Sequence, residues 1–363
     1  MARFVEREVE AQAADDERDP DQALRNYVLL LAENDLLRFA VPNPGEPFDL
    51  RGFCLIRESL SYSSSIADLA FVMQGLGTYA ISLSATEHVR DFWLARARTG
   101  RAIAAFALTE PDAGSDVAGL KTSARREDDA FVIDGRKRFI SNAGVADFYT
   151  VFARTGTRDD GRAEISAFIV SARMPGFSVS EKTEMIAPHP IGELEFRNCR
   201  IPAEDMIGNQ GDGLRLSLQT LDTFRASVGA AACGMARRAL DESLLHAKSR
   251  EQFGKPLSEH QLIQAKLADM ATELDAARLL VYRAAYLKDT GGVSSTREAS
   301  EAKLFATEMA ARVVDQAVQI HGGTGLVRGS VVERLYRDAR ALRIYEGTSE
   351  IQKLIIANQL LKE

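Results

Sequence analysis

The sequence predicts a three-part chain, helical, then β, then helical. Three observations carry this. Apolar residues recur at roughly helical spacing up to about residue 102, short β-like runs broken by turns fill 103–212, and helical periodicity returns after Gly213 and holds nearly to the end. At 363 residues the chain is long enough for two or three cores. The changes of period set the expected domains at 1–102, 103–212 and 213–363.

In the first part, Leu24, Tyr27, Val28, Leu31 and Leu36 mark a helix ahead of the turn-rich stretch Pro42–Pro47. A second helical run covers about 49–60. A third, Ile66 to Leu83, carries few charges except Asp68 and therefore reads as buried. Arg90 to Arg98 forms a further short helix, with Gly100 as its terminator. In the middle part, Ala130 to Ile140 reads as two strands joined at Asp134-Gly135, a pair that tolerates the positive φ of a tight hairpin. Tyr149–Thr155 and Ile165–Ala172 read as strands, Met174-Pro-Gly176 and Pro188-His-Pro190 as turns, and Leu194–Phe196 as the start of a short strand. Such a segment is expected to form a sandwich or small barrel. In the last part, Ser258 with Gln261 fits a capping box ahead of the stripe Ile263, Leu267, Met270, Leu274, Ala277 and Val281. Lys288–Gly292 reads as a loop, and Ser295 with Glu298 opens the next helix, which His321–Gly325 stops. A final helix begins near Thr348 or Ser349.

Composition narrows the function classes. Apolar residues at 45% and charged residues at 27% argue against disorder. A formal charge of -7 disfavours a nucleic-acid binder, which needs a concentrated positive field. Cys54, Cys199 and Cys233 form no CxxC pair, so a reducing compartment is expected. No run of 18 apolar residues suggests a membrane span, and the acidic N-terminus resembles neither a signal nor a transit peptide. The expectation is a soluble, cytoplasmic protein without a membrane partner.

The five histidines form no HExxH or other close cluster, so no protein-bound metal is expected. GxSxG, GxxxxGK[ST] and a strand-to-helix GxGxxG are all missing. Three stretches stay open on their residues alone. His321–Gly325 is a helix stop, or a place where backbone approaches a flat or phosphorylated ligand. Thr109–Asp116 is a surface loop, or a polar lining for a cofactor edge. Glu346, beside Gly347 at a helix junction, is a solvated cap, or a general base projected into a cavity.

Four separated blocks, in order, carry a family resemblance. They are Phe106–Asp116 (FALTEPDAGSD), Arg250–Lys255 (REQFGK) with Glu259-His-Gln261, Gln319–Gly325 (QIHGGTG), and Arg337–Arg340 (RDAR) with Tyr345–Gln352 (YEGTSEIQ). On these the chain resembles the acyl-CoA dehydrogenase family, from about residue 20 and most strongly from Phe106 onward. The resemblance implies an acyl-CoA dehydrogenase-like fold: an all-helical N-terminal domain, a middle β-domain and a C-terminal four-helix bundle. It further implies a homotetramer, built as a dimer of dimers, with FAD bound between subunits. The implied reaction desaturates an acyl-CoA thioester between Cα and Cβ and passes the electrons to electron-transferring flavoprotein.

Site roles follow from the same resemblance. Glu346 is the implied base for the α proton, with a β hydride going to flavin N5, while Tyr345 and Gly347 flank the thioester. Phe106, Leu108, Thr109, Gly114 and Ser115 are implied to line the flavin or CoA channel. Phe139, Ile140 and Ser141 match the segment beside the isoalloxazine, with Ser141 the donor near N5. Arg250, Gln252, Phe253, His260 and Gln261 are implied to reach a neighbouring subunit's FAD. Gln319 and Gly323 match the segment that holds the ribose and pyrophosphate end of FAD, and Thr348 and Gln352 are implied to contact FAD from the Glu346 junction. Asp222 and Arg225 match the pantetheine and substrate channel.

The chain also departs from the family. Pro42–Pro47 replaces the usual turn near the substrate approach, and Phe224 stands where one branch of the family carries its base, which favours Glu346. Asp68 is a structural carboxylate or a reader of a polar acyl group. Beside the dehydrogenase reading stand an acyl-CoA oxidase or carrier-protein-thioester dehydrogenase of the same fold, and a non-catalytic flavin- or thioester-binding protein.

Overall fold

The computed structural model describes residues 1–291 and 295–362. Five α-helices come first: α1 (Ala2–Phe4), α2 (Pro20–Glu33), α3 (Leu50–Ser63), α4 (Ser65–Ser84) and α5 (Glu87–Arg98). Eight strands follow: β1 (Ala104–Ala107), β2 (Ser123–Glu127), β3 (Ala130–Ser141), β4 (Phe148–Thr157), β5 (Ala163–Ser171), β6 (Phe177–Lys182), β7 (Ile191–Pro202) and β8 (Met206–Ile207). The last part holds α6 (Gly213–Ser249), the hairpin β9 (Glu251–Gln252) and β10 (Lys255–Pro256), α7 (Gln261–Asp289), α8 (Thr296–His321), α9 (Val331–Ala341) and α10 (Ser349–Leu360). The chain thus has helical N-terminal, β middle and helical C-terminal segments.

Its residues cluster into two compact units, each drawn from more than one stretch of chain. The first comprises Met1–Ala14, Asp49–Asp68 and Asp222–Glu363. Here α8 packs on α7, α9 and α10, and α3 packs on α7. The buried stripe of α8 is rich in small residues (Ala299, Ala302, Ala306, Ala310, Ala317), which lets neighbouring helices come close. Asp49 caps α3, its side chain accepting from Gly52 N at 2.9 Å. The α7 carboxylate of Asp289 accepts from the Leu50 and Arg51 N–H groups at 2.8 and 3.1 Å, answering free donors of the first α3 turn.

The second unit, Asp15–Phe48 with Leu69–Leu221, carries the sheet. Strands run in the order β6-β7-β3-β2-β4-β5-β8, with β1 pairing parallel to β4. Buried Gln74 of α4 ties helix to sheet: it donates to Ala97 O and Ala102 O and accepts from Ala104 N, all within 2.9 Å. Among the described residues, α4 alone is long and apolar enough to cross a membrane, and 83% of its apolar window is buried in the fold, as in a core helix.

Several local expectations need correction. Ala130–Ser141 is one strand, not two, and Asp134-Gly135 is a bulge in it, where the β3–β7 register shifts between Ile133 and Gly135. Gly135 stands at φ +147, and a Cβ there would sit 2.6 Å from Thr122 Oγ1, so the glycine answers a close approach. The turn lies upstream at Asp128-Asp129, between the paired Glu127 and Ala130. Leu194–Phe196 belongs to a 12-residue strand, Ile191–Pro202. Ser258 makes no capping box: α7 starts at Gln261 with His260 at its cap position and no side-chain cap. Ser295 does sit at the α8 cap position, but its side chain makes no cap hydrogen bond. Of the expected loop Lys288–Gly292, Asp289 ends α7 and Gly292 lies outside the described residues.

Candidate active site

The site is built from the first unit, around the junction between α9 and α10. Tyr345 N still bonds Ala341 O at 3.2 Å, so the chain leaves α9 in a tight turn. The next two residues then take positive φ, +53° at Glu346 and +92° at Gly347. For Glu346 this backbone costs on the order of 1–3 kcal/mol, so the surroundings must hold it. They do so through the two carbonyls of the pair. Gln352 Nε2 donates to Glu346 O at 3.2 Å and to Gly347 O at 2.9 Å, and Lys303 Nζ donates to Gly347 O at 2.7 Å. Thr348 caps α10 by accepting from Ile351 N at 3.3 Å, and Glu308 of α8 binds both Arg343 and Ser349 Oγ. Glycine is required at 347, where a Cβ would sit 2.5 Å from Gln352 Nε2. Gly347→Ala is expected to add roughly 1–2 kcal/mol of backbone strain. Thioester-driven turnover should then fall further than the thermal midpoint, since the strain lands on the turn bearing Glu346.

Glu346 is half-buried, yet its Oε2 is buried with no hydrogen-bond partner among the described residues. Burial pushes its carboxyl above the ordinary range, against the opposing pull of Arg57, Lys303 and Arg225. A carboxylate raised in this way is better matched to taking a proton from carbon near neutral pH. Arg57 and Asp68 form a buried bidentate pair at 2.8 and 2.6 Å, and Arg57 Nη1 donates to Ser227 Oγ at 2.9 Å. Asp68 is therefore a paired carboxylate, and its partner bears on both Glu346 and Tyr345. Arg225 is ion-paired with Asp222 at 2.8 Å, and its buried Nε has no partner among the described residues. The other Asp222 oxygen accepts from Thr296 Oγ1. Phe224 is fully buried, edge-on to Phe53 at 5.1 Å.

Elsewhere in the first unit, Arg250, Gln252 and Phe253 lie along one hairpin, and His260, at the α7 cap position, packs back against it. Phe253-Gly254 is its two-residue turn, with both φ values positive (+54° and +77°), the combination a type I′ turn needs. Phe253 is 94% exposed, its ring 6.0 Å from that of His260, and His260 Nε2 meets Gln252 O at 3.2 Å. Gln261 opens α7 directly after His260. Gln319 and Gly323 are exposed at the α8 end, where Gly322 breaks the helix with φ +59°. A Cβ on Gly323 would meet nothing within 4 Å, so the backbone there is open to approach.

In the second unit, Phe106 lies on β1 with its ring 5.0 Å from Phe152, and Leu108, Thr109, Gly114 and Ser115 follow it into the polar loop. That loop is pinned from within. Glu110 accepts from Lys121 N, Thr122 N and the buried Lys137 Nζ at 2.7–3.1 Å, and Lys137 also donates to Leu108 O. Burial works to raise the Glu110 carboxyl, but the Lys137 ammonium and these donors hold it below the usual range. Gly114 and Ser115 remain exposed beyond this anchor. A second irregularity in β3, between Lys137 and Ile140, gives Phe139 φ +54° and leaves its ring 49% exposed while Ile140 points into the core. Ser141 Oγ is 2.8 Å from His189 Nε2. Burial pulls His189 down to about 4, so that ring is neutral near pH 7.

These residues suit FAD. Phe139 offers an exposed ring on a bulge, a stacking surface for a planar group. Buried, unanswered Gln352 Oε1 is a polar atom that still needs a partner, and the open glycine backbone after α8 suits a phosphate chain. Sequence reading missed Lys303, Arg57 and the Glu110–Lys137 anchor. The available signal was a charge on an apolar face: Lys303 falls in register with the alanine stripe of α8.

The buried, unpartnered carboxylate on this strained junction has the chemistry of a general base. The chain matches the acyl-CoA dehydrogenase middle domain over residues 105–199 and the acyl-CoA dehydrogenase C-terminal domain over 211–361. It is 44% identical to the probable acyl-CoA dehydrogenase YngJ of Bacillus subtilis over 305 residues, 84% of this chain and 78% of that one. Among solved structures it is similar to butyryl-CoA dehydrogenase from Megasphaera elsdenii (TM-score 0.91, 34% identity, 99% of this chain and 96% of that one). It is also similar to a Bacillus anthracis acyl-CoA dehydrogenase complexed with FAD (TM-score 0.91, 32% identity, 99% of this chain and 65% of that one). The chain belongs to the acyl-CoA dehydrogenase family of FAD-dependent oxidoreductases.

Proposed function

We propose that this enzyme removes the α proton of an acyl-CoA thioester with Glu346 while a hydride leaves Cβ. The observation that carries this is the buried, unpartnered Glu346 Oε2 on a turn whose two carbonyls are both tied down. Bound FAD supplies the hydride acceptor at its N5. Glu346 takes the proton, and the turn keeps its carboxylate from collapsing onto a neighbouring donor. Negative charge developing on the thioester oxygen requires a donor held in place beforehand, and the Glu346 backbone N–H is the one we assign. Tyr345 and Gly347 flank the thioester, with Ser115, Asp222 and Arg225 along its CoA arm.

For FAD we assign Phe106, Leu108, Thr109, Gly114, Ser115, Phe139, Ile140 and Ser141 from the sheet unit, and Thr348 and Gln352 from the junction. Arg250, Gln252, Phe253, His260 and Gln261 are assigned to the FAD of a neighbouring subunit in a homotetramer, and Gln319 and Gly323 to the ribose and pyrophosphate end of FAD. The exposure of Phe253, at 94%, supports a partner surface there. Electron-transferring flavoprotein is the proposed acceptor.

The test is a panel of CoA thioesters, each with its carrier-protein counterpart, scored by anaerobic loss of flavin absorbance. At least one CoA ester is expected to bleach the flavin, with reoxidation fast on adding electron-transferring flavoprotein and slow in air. Fast reoxidation by air marks an oxidase. Bleaching only by carrier-bound esters moves the substrate class, and no bleaching at full FAD occupancy leaves a non-catalytic binder.

A further inference from the structure

We propose that Lys303 is a positioning residue for the reaction: from inside α8 it fixes the Glu346–Gly347 turn and sets the electrostatic field at the carboxylate. The proposal rests on Glu346 being the base. Lys303 is fully buried (0% exposed), and its Nζ donates to Gly347 O at 2.7 Å. A lysine is seldom buried without a specific use, because removing an ammonium from water is costly. Here the use is a peptide carbonyl in the strained turn, shared with Gln352 at 2.9 Å. Gln352 alone would supply a donor without charge. The ammonium adds a cation that opposes the effect of burial on Glu346, acting with Arg57 and Arg225 and against Asp68. Burial pulls Lys303 itself down to about 8, while Glu346 pulls the other way. The ammonium therefore prevails at neutral pH, and the field it exerts fades as pH rises past that value.

Two variants separate the roles. Lys303→Gln keeps a donor and loses the charge, and Lys303→Met loses both. Both should be FAD-loaded and compared with the parent for rate of anaerobic reduction by a reactive thioester across pH, for KM, and for thermal midpoint. In each, Glu346 loses a cation that favours its ionised form. The rising acidic limb of the rate is therefore expected to move to higher pH, by about one unit. Above that limb Lys303→Gln should recover most of the parent rate, while Lys303→Met stays about 10-fold or more below it, at little change in KM. If Lys303→Met does not fold, the limb of Lys303→Gln decides. An unmoved limb and unchanged rates, with only the thermal midpoint lowered, would make Lys303 a packing residue and overturn the proposal. Glu346→Gln run alongside distinguishes the two failures: if it reduces flavin at the parent rate, the base assignment falls first. If it is inactive while the Lys303 variants match the parent, this inference alone falls.

Discussion

Glu346→Gln is expected to load FAD as the parent does and to lose thioester-driven flavin reduction by about 10³-fold, within the range a positioned general base contributes. Glutamine keeps the volume and can occupy the same half-buried position, so the turn held by Gln352 and Lys303 should persist. What disappears is the group that accepts the proton. Because burial raises the Glu346 carboxyl, the parent's rate should climb with pH through a limb above the ordinary carboxylate range. The small residual rate of the variant should lack that limb. Anaerobic stopped-flow reduction with one reactive thioester checks both points, and a rate indistinguishable from the parent's would remove this carboxylate from the mechanism.

Asp68→Ala should have the largest effect on stability. Arg57 and Asp68 are 1% and 4% exposed and share two short hydrogen bonds, so removing the aspartate strands a buried guanidinium. Breaking such a pair costs about 3–5 kcal/mol. Replacing both partners with apolar residues of similar bulk, Arg57→Met with Asp68→Leu, should return close to the parent, because no charge is then left unpaired. Apparent unfolding midpoints in urea, read for parent, single and double variants under one protocol, make the comparison. A single variant as stable as the parent would mean that Ser227 and the Tyr345 side suffice to hold Arg57. The double variant should also alter which thioesters reduce the flavin, since Arg57 bears on both Tyr345 and Glu346.

The order of helices and strands was legible because it rests on periodicity, which solvent exposure writes directly into residue spacing. The α3, α4 and α10 starts were readable for the same reason, with Asp49 and Thr348 capping as their residue types allow. Local rules failed where long-range packing decides. Asp134-Gly135 has the composition of a hairpin turn, yet its glycine accommodates Thr122, just ahead of β2, inside a continuous β3. Ser258 has the spacing of a cap, but its carbonyl binds the Gln264 side chain while the helix starts later. At the site, short motifs pointed to Glu346 and Gly347. Lys303 and Arg57 stayed hidden because their partners lie 44 and 11 residues away, and spacing that long carries no periodic signal.

The tie between Gln352 and the turn couples the base to the fate of α10. Ser349 and Gln352 are the buried residues of that helix, so α10 is held to the rest of its unit by its first turn and by little beyond it. Were it to lift, the left-handed pair would relax toward ordinary backbone and swing the carboxylate out of line. Inactivation on warming would then be a local event at a hinge, completed while the rest of the first unit stays folded.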